Sequence, residues 1–83
     1  MKSNVNLPEP IVGLVKEVFK NEDVKVADWD MDRIYIDKGN EEYTIRTWDI
    51  TKTNVRWTLF KNINNPDGTG HGEEVSEGNF KYA

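Results

Sequence analysis

A chain of 83 residues with no cysteine has room for one domain and excludes a disulfide framework, a thiolate metal site and a cysteine nucleophile together. A formal net charge of −4 argues against a general nucleic-acid binder, which needs a surplus of Lys and Arg to neutralise phosphates. No stretch approaches the roughly 20 apolar residues of a membrane span, and no apolar run follows Met1-Lys2, so the expected location is the cytoplasm.

The charge is not evenly spread. Residues 1–32 carry four lysines against seven acids, residues 33–61 six bases against four acids, and residues 62–83 one base against four acids. A basic centre lies between two acidic ends.

Met1 to Leu7 is polar and reads as loose chain. Pro8-Glu9-Pro10 opens a helix, since proline is tolerated in a first turn and Glu9 meets the positive end of the helix dipole. Ile11, Leu14, Val15, Val18 and Phe19 follow at helical spacing, which predicts a helix over 9–21 with Asn21 as its C-terminal cap. Gly13 weakens that helix unless it permits close approach to a sheet. Val24–Ala27 reads as a first strand, Asp28–Asp32 as the turn after it, and Arg33–Asp37 as a second strand closed by the glycine turn Lys38-Gly39-Asn40. Tyr43 to Trp48 or Ile50 and Asn54 or Val55 to Lys61 form a third and a fourth strand, a hairpin dense in β-branched and aromatic residues. From Asn62 to Gly72 almost nothing asks to be buried, and this predicts a mobile Gly-rich loop. Asn79–Tyr82 then either returns as a short final strand or stays frayed.

The expected fold is α+β: a single domain over 1–83, with a core over 9–61 in which one N-terminal helix packs on a four-stranded antiparallel β-meander, and a loop and tail over 62–83. Strand alternation sorts the side chains into two faces. Val24, Val26, Ile34, Ile36, Tyr43, Ile45, Val55, Trp57 and Leu59 should meet the helix. Arg33, Tyr35, Thr44, Arg46, Trp48, Arg56, Thr58 and Phe60 should point away from it. The second set holds all three arginines of the chain. Arginine interleaved with aromatics is the composition enriched at binding hot spots, and it also suits stacking of single-stranded bases. The plain alternative is a cross-strand ladder of arginine stems on rings, or a face covered by the tail.

Enzymatic and metal chemistry find little support. Asp28-X-Asp30-X-Asp32 opens like a calcium loop, but Arg33 and Gly39 stand where such a loop needs its glycine and its final acid. His71 is the only histidine, and glycines flank it in a predicted loop with no orienting partner. Neither a phosphate-cradling glycine loop nor a hydrolytic triad is legible. The sequence therefore predicts a small acidic, non-catalytic, cofactor-free protein-binding domain, an inhibitor or adaptor of a larger protein. Its candidate surface is Arg33, Tyr35, Arg46, Trp48, Arg56 and Phe60. A second, acidic surface of Glu17, Glu22, Asp23, Asp28, Asp30 and Asp32 suggests partial mimicry of a nucleic acid. The alternative is a single-strand nucleic-acid module built on the Arg/aromatic face. Monomer and edge-paired dimer are both compatible with exposed strand edges.

Overall fold

The computed structural model describes all 83 residues: one helix and a six-stranded mixed sheet. The elements are β1 (Lys2–Ser3), α1 (Glu9–Val18), β2 (Lys25–Asp30), β3 (Arg33–Lys38), β4 (Glu41–Trp48), β5 (Asn54–Asn64) and β6 (Gly70–Lys81). Strands neighbour one another in chain order, and every pair is antiparallel except β1 with β2. The α+β class holds, while the expected four-stranded antiparallel meander gains a strand at each edge. No helix is long and apolar enough to cross a membrane.

The helix begins after Pro8 and stops three residues earlier than its periodicity predicts. Its end is a Schellman arrangement: the Asn21 N–H donates to the Lys16 carbonyl at 3.0 Å and the Lys20 N–H to the Glu17 carbonyl at 3.2 Å. Lys20 and Asn21 both take positive φ, 51° and 61°, which ends the helix while satisfying its last carbonyls. Leu14, Val15 and Phe19 are buried from the helix side, against Val24, Val26, Ile34, Ile36, Ile45, Val55 and Leu59 from the sheet side. Tyr43 and Trp57 are half-buried at its margin, and the Tyr43 ring meets Phe19 edge-on at 5.5 Å. The alternation of faces is therefore as the sequence predicts.

Gly13 lies where the helix crosses Phe80. A Cβ there would stand 3.0 Å from the Phe80 ring, so the missing side chain lets the helix sit close to β6.

Three local expectations change. Met1–Leu7 is not loose throughout: β1 docks alongside β2, with the Lys2 N–H on the Val24 carbonyl and the Asn4 N–H on the Val26 carbonyl, at 3.1 and 2.9 Å. Asp28–Asp32 is not all turn. β2 runs to Asp30, with a bulge between Val26 and Asp28. That extra residue lets Trp29 pair across Ile34 and pack against the core, and it turns Asp28 and Asp30 to the opposite face.

The largest correction concerns 62–83. β5 continues to Asn64, and a turn at Asn65–Thr69 hands the chain to β6, twelve residues long and the longest strand in the sheet. In that turn the Asp67 carboxylate accepts from the Thr69 N–H at 3.0 Å and from the Thr69 hydroxyl at 2.7 Å. β6 pairs with β5 along its whole length, so the tail extends the sheet edgewise and leaves its open face uncovered. Few of its side chains are buried, because the ladder of backbone hydrogen bonds holds it. Close packing adds to this at Gly78, which lies directly across from Trp57. A Cβ at Gly78 would come within 2.7 Å of the indole.

Candidate functional site: the open face of the sheet

The face away from α1 is ordered in rows by the strand register. One row runs Asp30, Arg33, Arg46, Thr58, Glu77 across β2 to β6. The next runs Asp28, Tyr35, Thr44, Phe60, Glu74. A third, shorter row holds Trp48, Arg56 and Asn79. All six residues singled out from the sequence (Arg33, Tyr35, Arg46, Trp48, Arg56, Phe60) thus share one face. The sequence reading missed what flanks them. Carboxylates close the first two rows at both ends, through the bulge in β2 on one side and a second bulge in β6 on the other, while a further row of Lys25, Asp37, Glu42, Asn62 and Gly72 ends in a lysine and a glycine. The β6 shift falls between the Ser76 and Glu74 pairings. It sets Glu74 and Glu77, three residues apart, on the same face.

Within this face Arg46 and Trp48 form one unit. The Arg46 guanidinium carbon stands 3.9 Å from the centre of the Trp48 ring, a cation–π contact. The indole N–H donates to the Thr58 hydroxyl at 3.0 Å. Trp48 thereby lies over Thr58, which is 7% exposed, while Trp48 keeps 39% of its own surface in water. Two shallow depressions flank the unit. One of about 600 Å³ is bordered by Trp48, Arg56, Thr58, Glu77 and Asn79. The other, of about 340 Å³, is bordered by Arg33, Tyr35, Arg46 and Phe60.

The electrostatics are under-compensated. Arg33 and Arg46 stand directly opposite each other on β3 and β4, a like-charge pairing that destabilises a sheet. Arg33 has no carboxylate within ion-pair distance, and Arg46 only reaches Asp32 at 4.0 Å. The atom facing Asp32 is the buried Nε, too far away to form a hydrogen bond, which costs free energy in a folded protein. Arg56 sits 3.3 Å from Asp49 at the exposed end of the hairpin. Asp28, Asp30, Glu74 and Glu77 take part in no ion pair.

The charged groups on the helix side differ. Glu22 pairs with Lys38 at 2.6 Å and Glu41 with Lys61 at 2.5 Å. Hydrogen bonding to Lys61 holds the Glu41 carboxyl below its ordinary range, and the reciprocal bonds raise Lys38 and Lys61. The Thr69 hydroxyl and N–H likewise lower Asp67 in its turn.

The six acidic candidates do not share one surface. Glu17 lies on α1, while Glu22 and Asp23 lie between α1 and β2. Asp28 and Asp30 are on the open face, and Asp32 is in the turn next to Arg46. His71 stands 3.4 Å from Glu73, both exposed. Nowhere do three or more His, Asp or Glu side chains converge in a metal-ligating group.

No protein-family model, curated protein or solved structure matches this chain. The functional reading therefore rests on the face itself: a basic, aromatic centre with unpaired groups, rimmed by acids.

Proposed function

We propose that this chain is a non-catalytic protein-binding domain, an inhibitor or adaptor that docks on its partner through the open face of the sheet. The observation that supports it best is the direct opposition of Arg33 and Arg46 across β3 and β4. Two opposed cations cost stability in the free protein, and a carboxylate from a partner placed against the outer ends of the two guanidinium groups would relieve that cost with charge-assisted hydrogen bonds. Trp48 beside them offers the flat, half-exposed ring typical of an interface anchor. The complementary partner surface carries acidic groups for the arginines, apolar contact for Trp48, Tyr35 and Phe60, and basic groups at the margins for Asp28, Asp30, Glu74 and Glu77.

The rim favours a protein over the alternative, a single-stranded nucleic acid. A phosphodiester chain crossing the strands along the Arg33–Arg46 or the Tyr35–Phe60 row would approach carboxylates at both ends. Mimicry of a nucleic acid is the less supported part of the reading, because the acids are divided among α1, the loop after it and the open face.

Affinity chromatography on the wild-type protein, compared with an Arg46→Ala/Trp48→Ala double variant and a Glu17→Gln control, tests the proposal. A partner with the stated surface chemistry should be lost on the double variant by at least tenfold and kept on the control. Equal retention on all three columns would contradict it. Tight, steeply salt-dependent binding of single-stranded oligonucleotides that Trp48→Ala abolishes would favour the alternative.

A further inference from the structure

The two edges of the sheet are unlike. On one side β2 is bulged, shares part of its length with the two-residue β1, and carries Asp28 and Asp30. Natural sheets commonly guard their edges in this way, with short strands, bulges and charge. On the other side β6 presents twelve residues with no proline and a single lysine, at its last position. Its backbone pairs with β5 alone, so its outward N–H and C=O groups form an open template about 40 Å long at ~3.3 Å per residue.

Three glutamates lie on this strand. Glu73 faces the helix side, near Lys61 and His71. Glu74 and Glu77 face the open side and have no ionic partner. Antiparallel pairing of β6 with β6 of a second copy about its middle, between Val75 and Ser76, would set Glu74 opposite Glu77 twice, and like charges facing one another oppose that register. The same carboxylates attract a strand of opposite sign.

From this we infer that the β6 edge is a β-addition site for an extended, lysine- or arginine-bearing segment of another protein. Its backbone would pair with β6, and its basic side chains on one face would meet Glu74 and Glu77. In this mode main-chain hydrogen bonds supply the affinity and alternate side chains the specificity. The inference concerns the edge of the sheet and does not depend on the open-face reading.

The probe is a short capped peptide alternating lysine with valine, titrated into the ¹⁵N-labelled full chain. Micromolar binding is expected, with amide shifts and exchange protection concentrated in residues 70–81. A Glu74→Gln/Glu77→Gln variant should weaken binding about tenfold, in line with two exposed charge pairs. The same peptide N-methylated on the alternate residues that face β6 should not bind, since it cannot complete the ladder. Equal binding of the methylated peptide would reduce the effect to charge alone and overturn the inference. So would shifts centred on Arg46 and Trp48, which would leave the open-face reading intact. Sedimentation of the free protein should show a monomer, and a dimer paired through β6 would assign the edge to a second copy and overturn the inference too.

Discussion

The two faces of this sheet are built from the same strands and obey opposite rules. On the helix side the interior is apolar, with Ile34 and Ile45 fully buried, and the charges at its margin are matched, Glu22 with Lys38 and Glu41 with Lys61. On the open side the two arginines at the centre oppose each other, Asp37 opposes Glu42, and six carboxylates (Asp28, Asp30, Asp37, Glu42, Glu74 and Glu77) take part in no ion pair. A face that served only to cap the sheet would be expected to resemble the first in its pairing. The contrast indicates that stability resides on one side, and that the other keeps groups whose partners come from outside the chain.

Truncations on a single strand break this contrast most clearly. Ile45→Ala should destabilise the protein by about 2–5 kcal/mol, because it opens a cavity in a fully buried site. Arg46→Ala next to it should cost far less. Urea denaturation of the two variants measures the difference, and comparable losses would mean that the faces are not distinct. A smaller effect is expected at Gly78→Ala. Its new methyl would collide with the Trp57 indole, held at 2.7 Å from that position, and overpacking of this kind costs about 1–3 kcal/mol. The same titration reads it, and a neutral result would show that Trp57 moves freely.

The open face predicts the opposite sign. Arg33→Gln removes one of two opposed cations and should raise stability by about 0.2–1 kcal/mol, while weakening partner binding. A loss of stability would show that Arg33 is already compensated within the chain.

The smallest effect sharpens the contrast through pH. Glu41 titrates below its ordinary value because Lys61 holds its charged form. Its contribution is therefore fully present above pH about 4.5 and lost as pH falls through the lowered value. Lys38 is raised by Glu22, so its contribution is present below pH about 10.5 and disappears as pH climbs through the raised value. Both pairs are exposed, and the slopes should be shallow. Glu41→Gln should flatten the acid limb of the urea midpoint against pH and, because the same bond raises Lys61, part of the alkaline limb as well.

How much of this was legible in the sequence follows from what holds each element. The helix and the two faces were legible because burial imposes a period on side chains: Ile11, Leu14 and Val15 on one element, Ile34, Ile36 and Ile45 on the others. β1 and all of β6 before Asn79 were not, because backbone pairing at an edge leaves little side-chain pattern; only the end of β6 was legible, as one of two alternatives for Asn79–Tyr82. Gly70, Gly72, Glu73, Glu74 and Glu77 carry weak strand propensity. The usable signal was Gly78, since a glycine inside a strand marks close approach of a neighbour, and here that neighbour is Trp57. Of the candidate site, the arginines and rings were found by parity. The acid rim was not, because Asp28–Asp32 reads as a turn and 62–83 as loop and tail, and because two bulges, near Ala27 and Val75, shift parity where the strands do run.

Site-specific photo-crosslinking tests the central claim most directly, with the reactive side chain placed at Tyr35 on the open face or at Lys16 on the exposed side of α1, in the cells that make the protein. The expected result is one discrete protein adduct from position 35, competed by added wild-type protein but not by the Arg46→Ala/Trp48→Ala variant, and none from position 16. An adduct from position 16 alone, or equal competition by the variant, would contradict the assignment of the open face as the docking surface.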